Sequence, residues 1–546
     1  MTPLGQWRHG PRPWHLILGP AVPVLAMLKN NTSTWPPEVV IGPVLIAAGL
    51  ALLLWLLIVP LAHDPLRAAL AVTFSMLVLM SHLPLLVVAL SLGIVRFVPL
   101  VYAGVLIAAA VIGRSTRPAM APTVFANRAL LITVLFLAVP IAWGEVGRAR
   151  TVAEPLPLPA DSRSGLRPDV YVLIFDAYGR ADVLRDLYGF DDPLPDRLRT
   201  SGFFVAERAT ANYAQTALSL ASAFNLDYLP ELGHPERADT DAKRGLADLI
   251  RNSRFFQAFE DAGYHIRTYG SEYTMIRPGS GDHRGAPGHL NEFHYTMLEA
   301  TALPTLFEAV GFQRGWLPLR MHRHHLRWTL TDLAESVPSG DVPPTLVLAH
   351  LLAPHPPFAL DADGGIRSTK VPALLSDGSM WRAIAQQSGE SYASGYVDSL
   401  RYLNDGILRV ERAIASRPSR PAIVLIHSDH GPGLQLEWEN PAETNMRERM
   451  GVLLAARFPD GQGAALHDRT SLVNAYRTVI NRALGARLPP LEDRSYFSTW
   501  TRPFAYLDVT GRIDCTDCQD TVAGARTARS GLPHVPAVNV PHQPGR

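Results

Sequence analysis

The chain has 546 residues, 49 acidic and 50 basic side chains, a net charge of +1 and two cysteines. The near-neutral total hides a division: residues 1–145 hold three acids and eight bases, while the remaining 401 residues hold 46 and 42. That division excludes a single soluble globule, the lack of any strongly basic part excludes a nucleic-acid binder working through bulk charge, and a lone terminal pair, Cys515 and Cys518, excludes a disulfide scaffold or a four-cysteine zinc module.

Residues 39–62 (VVIGPVLIAAGLALLLWLLIVPLA) carry no charge over 24 positions, and about 20 such residues suffice for a helix to cross a bilayer core. Further apolar runs lie at 68–95 and 129–144, with weaker ones at 14–28 and 97–112. The reading is an α-helical membrane domain of about five spans over 1–145. With the N-terminus inside, Arg8, Arg12, Arg67, Arg114, Arg117 and Arg128 face the cytoplasm, against Lys29, Arg96, Arg148 and Arg150 outside. The positive-inside bias therefore predicts a multi-pass protein of the cytoplasmic membrane, with everything after the last span facing a periplasm or the cell exterior. Lysine occurs only at Lys29, Lys243 and Lys370, a substitution pattern expected of a GC-rich bacterial genome.

Residues 146–168 read as a linker, rich in proline, serine and charge over 151–168. From 169 to 510 the texture becomes that of an α/β domain. Short apolar runs at 169–175, 264–269, 345–350, 422–427 and 451–456 are Val/Ile/Leu-rich without alternation, as strands buried on both faces are. Amphipathic stretches at 181–200, 243–262 and 391–415 supply helices between them. A doubly wound, mostly parallel sheet flanked by helices follows. Residues 511–546 read as a partly disordered tail, rich in Pro, His, Arg and Gly over 525–546.

In such sheets ligands bind beyond the carboxyl ends of the strands. Three runs end in chemistry-bearing residues there: Asp176 after the first, His350 and then His355 after the third, and Ser428-Asp429-His430-Gly431 after the fourth. One acid at a strand end is ordinarily a turn former or helix cap; three such ends together point to a site. Asp176, Asp429 and His430 suit Zn²⁺ or Mn²⁺. Thr216 opens a helix-like run, where its hydroxyl meets the positive end of the helix dipole and a phosphate is favoured.

This arrangement resembles the alkaline-phosphatase and sulfatase superfamily, and more narrowly the membrane-anchored lipoteichoic-acid synthases and the phosphoethanolamine and phosphoglycerol transferases. The residues that carry it are Asp176, the block Thr216-Ala-Leu-Ser219, the block HLLAPHPPF from His350 to Phe358, and Ser428-Asp429-His430-Gly431. The resemblance implies a divalent metal, Zn or Mn at one site, held by Asp176, Thr216, Asp429 and His430. It makes Thr216 the nucleophile, with His355 and His350 contacting phosphoryl oxygens or protonating the leaving group. It further implies transfer or hydrolysis of a phosphoryl-linked headgroup from a membrane phospholipid donor, to an envelope glycan or lipid acceptor or to water. Arg447, Arg449 and Asn212 are candidate substrate contacts. Two alternatives share the fold: a sulfuric-ester or phosphate-monoester hydrolase, and a catalytically inactive membrane scaffold. The formylglycine route of sulfatases is disfavoured, because no cysteine precedes Cys515 and the block after Thr216 lacks the proline and arginine of that motif.

Other features yield less. Cys515 and Cys518 suit a small-loop disulfide outside the cytoplasm. His322, His324 and His325 read as a solvated or membrane-facing basic stretch. Asn30 and Asn31 match glycosylation sequons that a bacterium leaves unused, and Tyr178 and Tyr213 either shape the pocket or fill core. No nucleic-acid or protein partner is indicated.

Overall fold

The computed structural model describes residues 11–514 apart from 33, 86–97, 147–153, 160–166, 233–242, 313–314, 339–342, 368–375, 387–388, 417–419, 460 and 462–465. Cys515, Cys518 and the predicted tail beyond 514 lie outside the described residues.

The N-terminal part contains five apolar helices among the described residues: α1 (His15–Lys29), α2 (Ile41–Ile58), α3 (Pro65–Met80), α4 (Val98–Arg114) and α5 (Met120–Val146). Two segments, Pro37–Leu61 and Met120–Val146, are long and apolar enough to cross a membrane, and α1, α3 and α4 are shorter. α1 packs on α2, α3 and α5, and α3 packs on α4. The small residues Ala51, Ala69 and Ala71 are buried at these contacts. α2 turns Ile46 and Leu57 outward at 69% and 62% exposure, a surface that water would penalise.

The α/β part is built on a seven-stranded sheet in the order β2-β7-β6-β1-β5-β3-β4. Its strands are β1 (Asp169–Phe175), β2 (Phe204–Val205), β3 (His265–Tyr269), β4 (Asp282–Arg284), β5 (Thr345–Leu351), β6 (Ala422–His427) and β7 (Leu454–Arg457). β1 is central and wholly buried. Val170, Val172 and Ile174 enter one core and Tyr171, Leu173 and Phe175 the other, which is why the run carries no polar alternation. β1, β3, β4, β5 and β6 are mutually parallel. β7, predicted as one more strand of a parallel set, runs antiparallel to β6, and β2 antiparallel to β7. Ile174 lies opposite His350 in β5 and His427 in β6, so three strand ends meet at one rim.

The helices around the sheet are α6 (Ala181–Tyr188), α7 (Leu194–Thr200), α8 (Thr216–Phe224), α9 (Arg244–Arg251), α10 (Arg254–Asp261), α11 (Glu292–Ala300), α12 (Leu303–Ala309), α13 (Trp316–Glu335), α14 (Gly378–Ala385), α15 (Tyr392–Ala415), α16 (Met446–Met450) and α17 (Leu472–Leu484). The predicted helix 181–200 divides into α6 and α7. Gly189 adopts a left-handed conformation (φ 62°) and caps α6. The stretch 243–262 likewise divides, into α9 and α10.

Two boundaries differ from the sequence reading. The domain continues past 510: Ile513 is buried in the core, and Asp514 pairs with Arg180 at 3.0 Å and Arg469 at 3.0 Å. The linker does not act as a free tether along its described residues, because Leu156 and Leu158 pack on the domain core. The two parts also share a hydrophobic cluster: Val24, Leu28 and Trp35 meet Phe293 and Met297 of α11. Trp35 stacks edge-on against Phe293 with centroids 5.1 Å apart, and Arg251 pairs with Glu38 at 2.8 Å.

A candidate active site at the rim of the sheet

Asp176 follows β1, and the turn after it is strained: Ala177 sits at φ 66°, rare for a residue with a side chain. Two contacts hold it there. Its N–H donates to Asp429 Oδ1 at 3.3 Å, and the Tyr178 N–H donates to Ser428 Oγ at 2.8 Å. The β1 and β6 ends are thereby stitched together. Gly431 lets the β6 loop pass against α16: a Cβ there would lie 2.0 Å from the carbonyl oxygen of Glu448. Thr216 is the first residue of α8, after Gln215 in extended conformation.

These elements bring Asp176, Thr216, Asp429 and His430 together. His430 Nε2 lies 3.0 Å from Thr216 Oγ1, 3.5 Å from Asp176 Oδ1 and 3.5 Å from Asp429 Oδ2. His430 Nδ1 meets the carbonyl oxygen of Gly431 at 2.9 Å, and so carries the proton and leaves Nε2 as a lone pair facing the carboxylates. His350 joins the cluster as well. Its Nδ1 is 2.7 Å from Ser271 Oγ, and its Nε2 is 3.6 Å from Asp176 Oδ2. One ligand atom from each of Asp176, His350 and Asp429 lies within 4.8 Å of the others. β5 thus sets His350 among the carboxylates, while His355 lines the cavity.

The cluster fits a cation. Asp176 Oδ1, His350 Nε2 and Asp429 Oδ2 are buried and accept no hydrogen bond among the described residues. Orphaned acceptors of this kind are costly to bury, and two carboxylates with imidazole lone pairs match the preferences of Zn²⁺ or Mn²⁺. Burial, with the neighbouring Asp429 carboxylate, pushes Asp176 well above the usual carboxylate range, and burial brings Asp429 up to about 6. Burial drives His350 down to about 3, and it also lowers His430, whose imidazole faces the Arg449 guanidinium. The imidazoles are thus neutral, the form that ligates a metal.

Above the cluster opens a cavity of about 500 Å³ lined by Asp176, Thr216, His355, His430 and Arg449. His355 lies between two cis peptide bonds, Ala353–Pro354 and Pro356–Pro357. Its Nδ1 donates to the carbonyl oxygen of Pro356 at 2.6 Å, so Nε2 is free to accept a proton and faces Asp377 Oδ2 at 3.9 Å. Arg449 is 1% exposed and donates to Asp377 Oδ2 at 2.8 Å and to the carbonyl oxygens of Ala214 at 2.8 Å and Gly431 at 3.1 Å.

The remaining predicted residues lie elsewhere. Arg447 does not face the cavity; one helical residue pair away from Arg449, it turns outward and pairs with Asp182 at 2.8 Å and Asp186 at 2.6 Å on α6. Arg447→Ala is expected to leave turnover within about twofold of wild type and to cost at most about 1 kcal/mol, as half-exposed ion pairs do; parallel activity and urea-melting measurements check this. Asn212 is a framework residue, accepting from the Val473 N–H at 2.8 Å and donating to the Arg494 carbonyl at 3.1 Å. Tyr178 and Tyr213 are fully buried in the two cores. His322 and His325 correct the solvated-stretch reading: both are buried, His322 against the carboxylate of Glu272 and His325 with Nε2 2.8 Å from the Gly270 carbonyl, while His324 on the other face of α13 is exposed.

Residues that sequence reasoning passed over also line the cavity. Asp377 caps α14 from a stretch with no strand signal. Lys243, one of three lysines, lies 3.3 Å over the Trp500 ring; its rarity was the available signal. Trp35, from the segment between α1 and α2, donates to Glu292 Oε1 at 2.7 Å, and Thr274 donates to the same oxygen at 2.6 Å. Burial raises Glu292 to about 7 against these hydrogen bonds. Because the folded-state value exceeds the usual carboxylate value, ionising Glu292 costs stability as pH rises from about 4.5 towards and through 7. Glu292→Gln, which keeps an oxygen for both donors, is expected to stabilise the protein at pH 8 and to have little effect at pH 4.5. Urea midpoints of both proteins at the two pH values measure it.

No protein-family model and no curated protein matches the sequence. Solved structures do resemble it. The C-terminal periplasmic domain of EcEptC from Escherichia coli, in complex with Zn, is 11% identical, and the match covers 65% of this chain and 96% of that one with a TM-score of 0.40. The integral membrane protein lipooligosaccharide phosphoethanolamine transferase A (EptA) from Neisseria meningitidis is 13% identical, covering 87% of this chain and 96% of that one, TM-score 0.37. A 2-O GAG sulfatase is 11% identical, covering 61% and 73%, TM-score 0.37.

Proposed function

We propose that the protein is a metal-dependent enzyme that removes a phosphoryl-linked headgroup from a membrane phospholipid and passes it to an envelope glycan or lipid, or to water. The observation that carries this reading is the hydroxyl of Thr216 held 3.0 Å from His430 Nε2, beside buried carboxylate and imidazole atoms that lack hydrogen-bond partners among the described residues. Asp176, Asp429 and His430 would hold the metal, with Thr216 beside it and His350 as a further ligand that the sequence reading did not include. A Zn²⁺ or Mn²⁺ ion there supplies Lewis-acid stabilisation of phosphoryl charge and favours loss of the Thr216 proton. The five apolar helices would place the rim at a membrane surface, with the α/β part on the side opposite the cytoplasm, where a lipid donor is concentrated.

The chain's own groups account for the remaining steps. Thr216 Oγ1 attacks phosphorus and the diacylglycerol oxygen departs, leaving the headgroup phosphate esterified to Thr216. The helix α8 dipole and the Arg449 guanidinium offset charge on the phosphoryl oxygens. His355 Nε2 takes up the proton that Thr216 releases and gives it to the departing diacylglycerol oxygen; in the second half it takes the proton of the acceptor hydroxyl and returns it to Thr216 Oγ1. The acceptor hydroxyl then attacks phosphorus and Thr216 leaves. Hydrolysis of sulfuric or phosphate monoesters would use the same groups; the apolar anchor packed against the site favours a lipid donor. The test incubates the full chain with phospholipid vesicles and follows diacylglycerol release with and without a chelator. Metal-dependent release is the expected result, and release unaffected by complete metal removal would refute the reading.

A further inference from the structure

A second cavity, of about 410 Å³, adjoins the first. The two share Tyr273 as a wall, and consecutive residues of the segment before α2 divide between them: Thr34 and Trp35 line the catalytic cavity, Pro36 and Glu38 the other. It opens where Pro37–Leu61, one of the two segments long enough to span a membrane, begins. It belongs to the junction of the two parts of the protein, and the mechanism above makes no use of it.

Its lining offers cationic donors, two of them already in ion pairs. Arg251, Arg277 and Arg284 face it, with Glu38 as the acid from the apolar part. Arg251 is paired with Glu38 at 2.8 Å, and Arg284 is paired with Asp332 of α13. Arg277 is exposed and makes no ion pair among the described residues. His294 adds a donor: its Nδ1 accepts the Asn291 N–H at 3.1 Å, so its proton is on Nε2. Arginine guanidinium groups and a ring N–H are the donors that recognise phosphate oxygens, and the volume accommodates a headgroup.

We infer that this cavity binds a phosphate-ester anion, the phosphorylated headgroup of a second lipid, next to the catalytic cavity. This inference rests on the proposed action on lipid headgroups: transfer to a lipid requires that acceptor to be held beside the donor, and an anionic acceptor lipid would meet Arg277 at the mouth of the span.

The experiment is calorimetric titration of the detergent-solubilised full chain with dihexanoyl phosphatidic acid, in competition with inorganic phosphate. Wild type and Thr216→Ala are expected to share a binding event that Arg277→Glu weakens at least tenfold and Arg277→Lys retains. Arg277 is exposed, so neither change threatens the fold. Weaker competition by inorganic phosphate than by lipid supports the lipid source. Equal competition overturns the lipid assignment in favour of a free phosphate. An unchanged affinity in Arg277→Glu overturns the site altogether, and does so without touching the catalytic reading, which stands or falls on metal-dependent diacylglycerol release.

Discussion

Thr216→Ala is expected to reduce headgroup release at least about 10³-fold in kcat while leaving the protein folded. Removing a nucleophile forfeits the covalent route, and the surrounding groups retain only the catalysis they can give to direct attack by water. The fold tolerates the change because Thr216 is the first residue of α8, its side chain opens to the cavity, and the helix is buried through Ala217 to Phe224. Alanine is also a good helix former. Thr216→Ser keeps a hydroxyl at the same helix position and is expected to restore a substantial part of the rate. Steady-state diacylglycerol release with a synthetic phospholipid measures all three proteins, and mass spectrometry of the acid-quenched enzyme should find headgroup phosphate on wild type and none on Thr216→Ala. Normal turnover by the alanine variant would remove Thr216 from its role.

Arg449→Met is expected to destabilise the α/β domain by about 3–5 kcal/mol, because it removes one partner of a buried ion pair and strands the other. Arg449 and Asp377 are each 1% exposed and meet at 2.8 Å. Burial alone would raise the Asp377 carboxyl, but His355, Arg449 and the hydrogen bonds from Tyr392 and the Gly378 N–H hold it below the ordinary value. Without the guanidinium that balance is lost, and His430 and Ala214 also lose their contacts with Arg449. The double variant Arg449→Met, Asp377→Asn is expected to cost less than the sum of the two single changes, since it leaves no unpaired charge. Urea melts of the four proteins complete the cycle. A loss below about 1 kcal/mol for Arg449→Met would refute the stabilising role of the buried pair.

Much of the architecture was legible in the residues because local rules and global fold agree. Uncharged runs such as 39–62 became apolar helices, and the solid Val/Ile/Leu runs 169–175, 345–350 and 422–427 became the three central strands. A residue at the end of such a strand has only one place to go, the rim, so Asp176, Asp429 and His430 could be grouped without coordinates. Thr216 followed from its position at the start of a helical run.

What escaped were properties with no local signature. The direction of β7 depends on how the chain returns after α16, and no pattern in 451–456 records it. His350 and His355 are five residues apart on one segment, yet β5 carries the first beneath the cavity among the carboxylates and the turn after it lifts the second into the cavity. Arg447 and Arg449 have the same composition and nearly the same position; two residues along α16 rotate the side chain by about 200°, so one meets solvent and α6 while the other is buried beside Asp377. Asp377 and Trp35 reach the cavity from segments with no strand or motif, and Lys243 from the start of a predicted helix whose periodicity says nothing of the cavity. The division into an apolar and a polar part was written in the charge count; that Trp35 of the first part and Glu292 of the second close one cavity between them was decided only when packing brought distant segments together, because a hydrophobic contact has no direction along the chain and draws whichever faces remain uncovered.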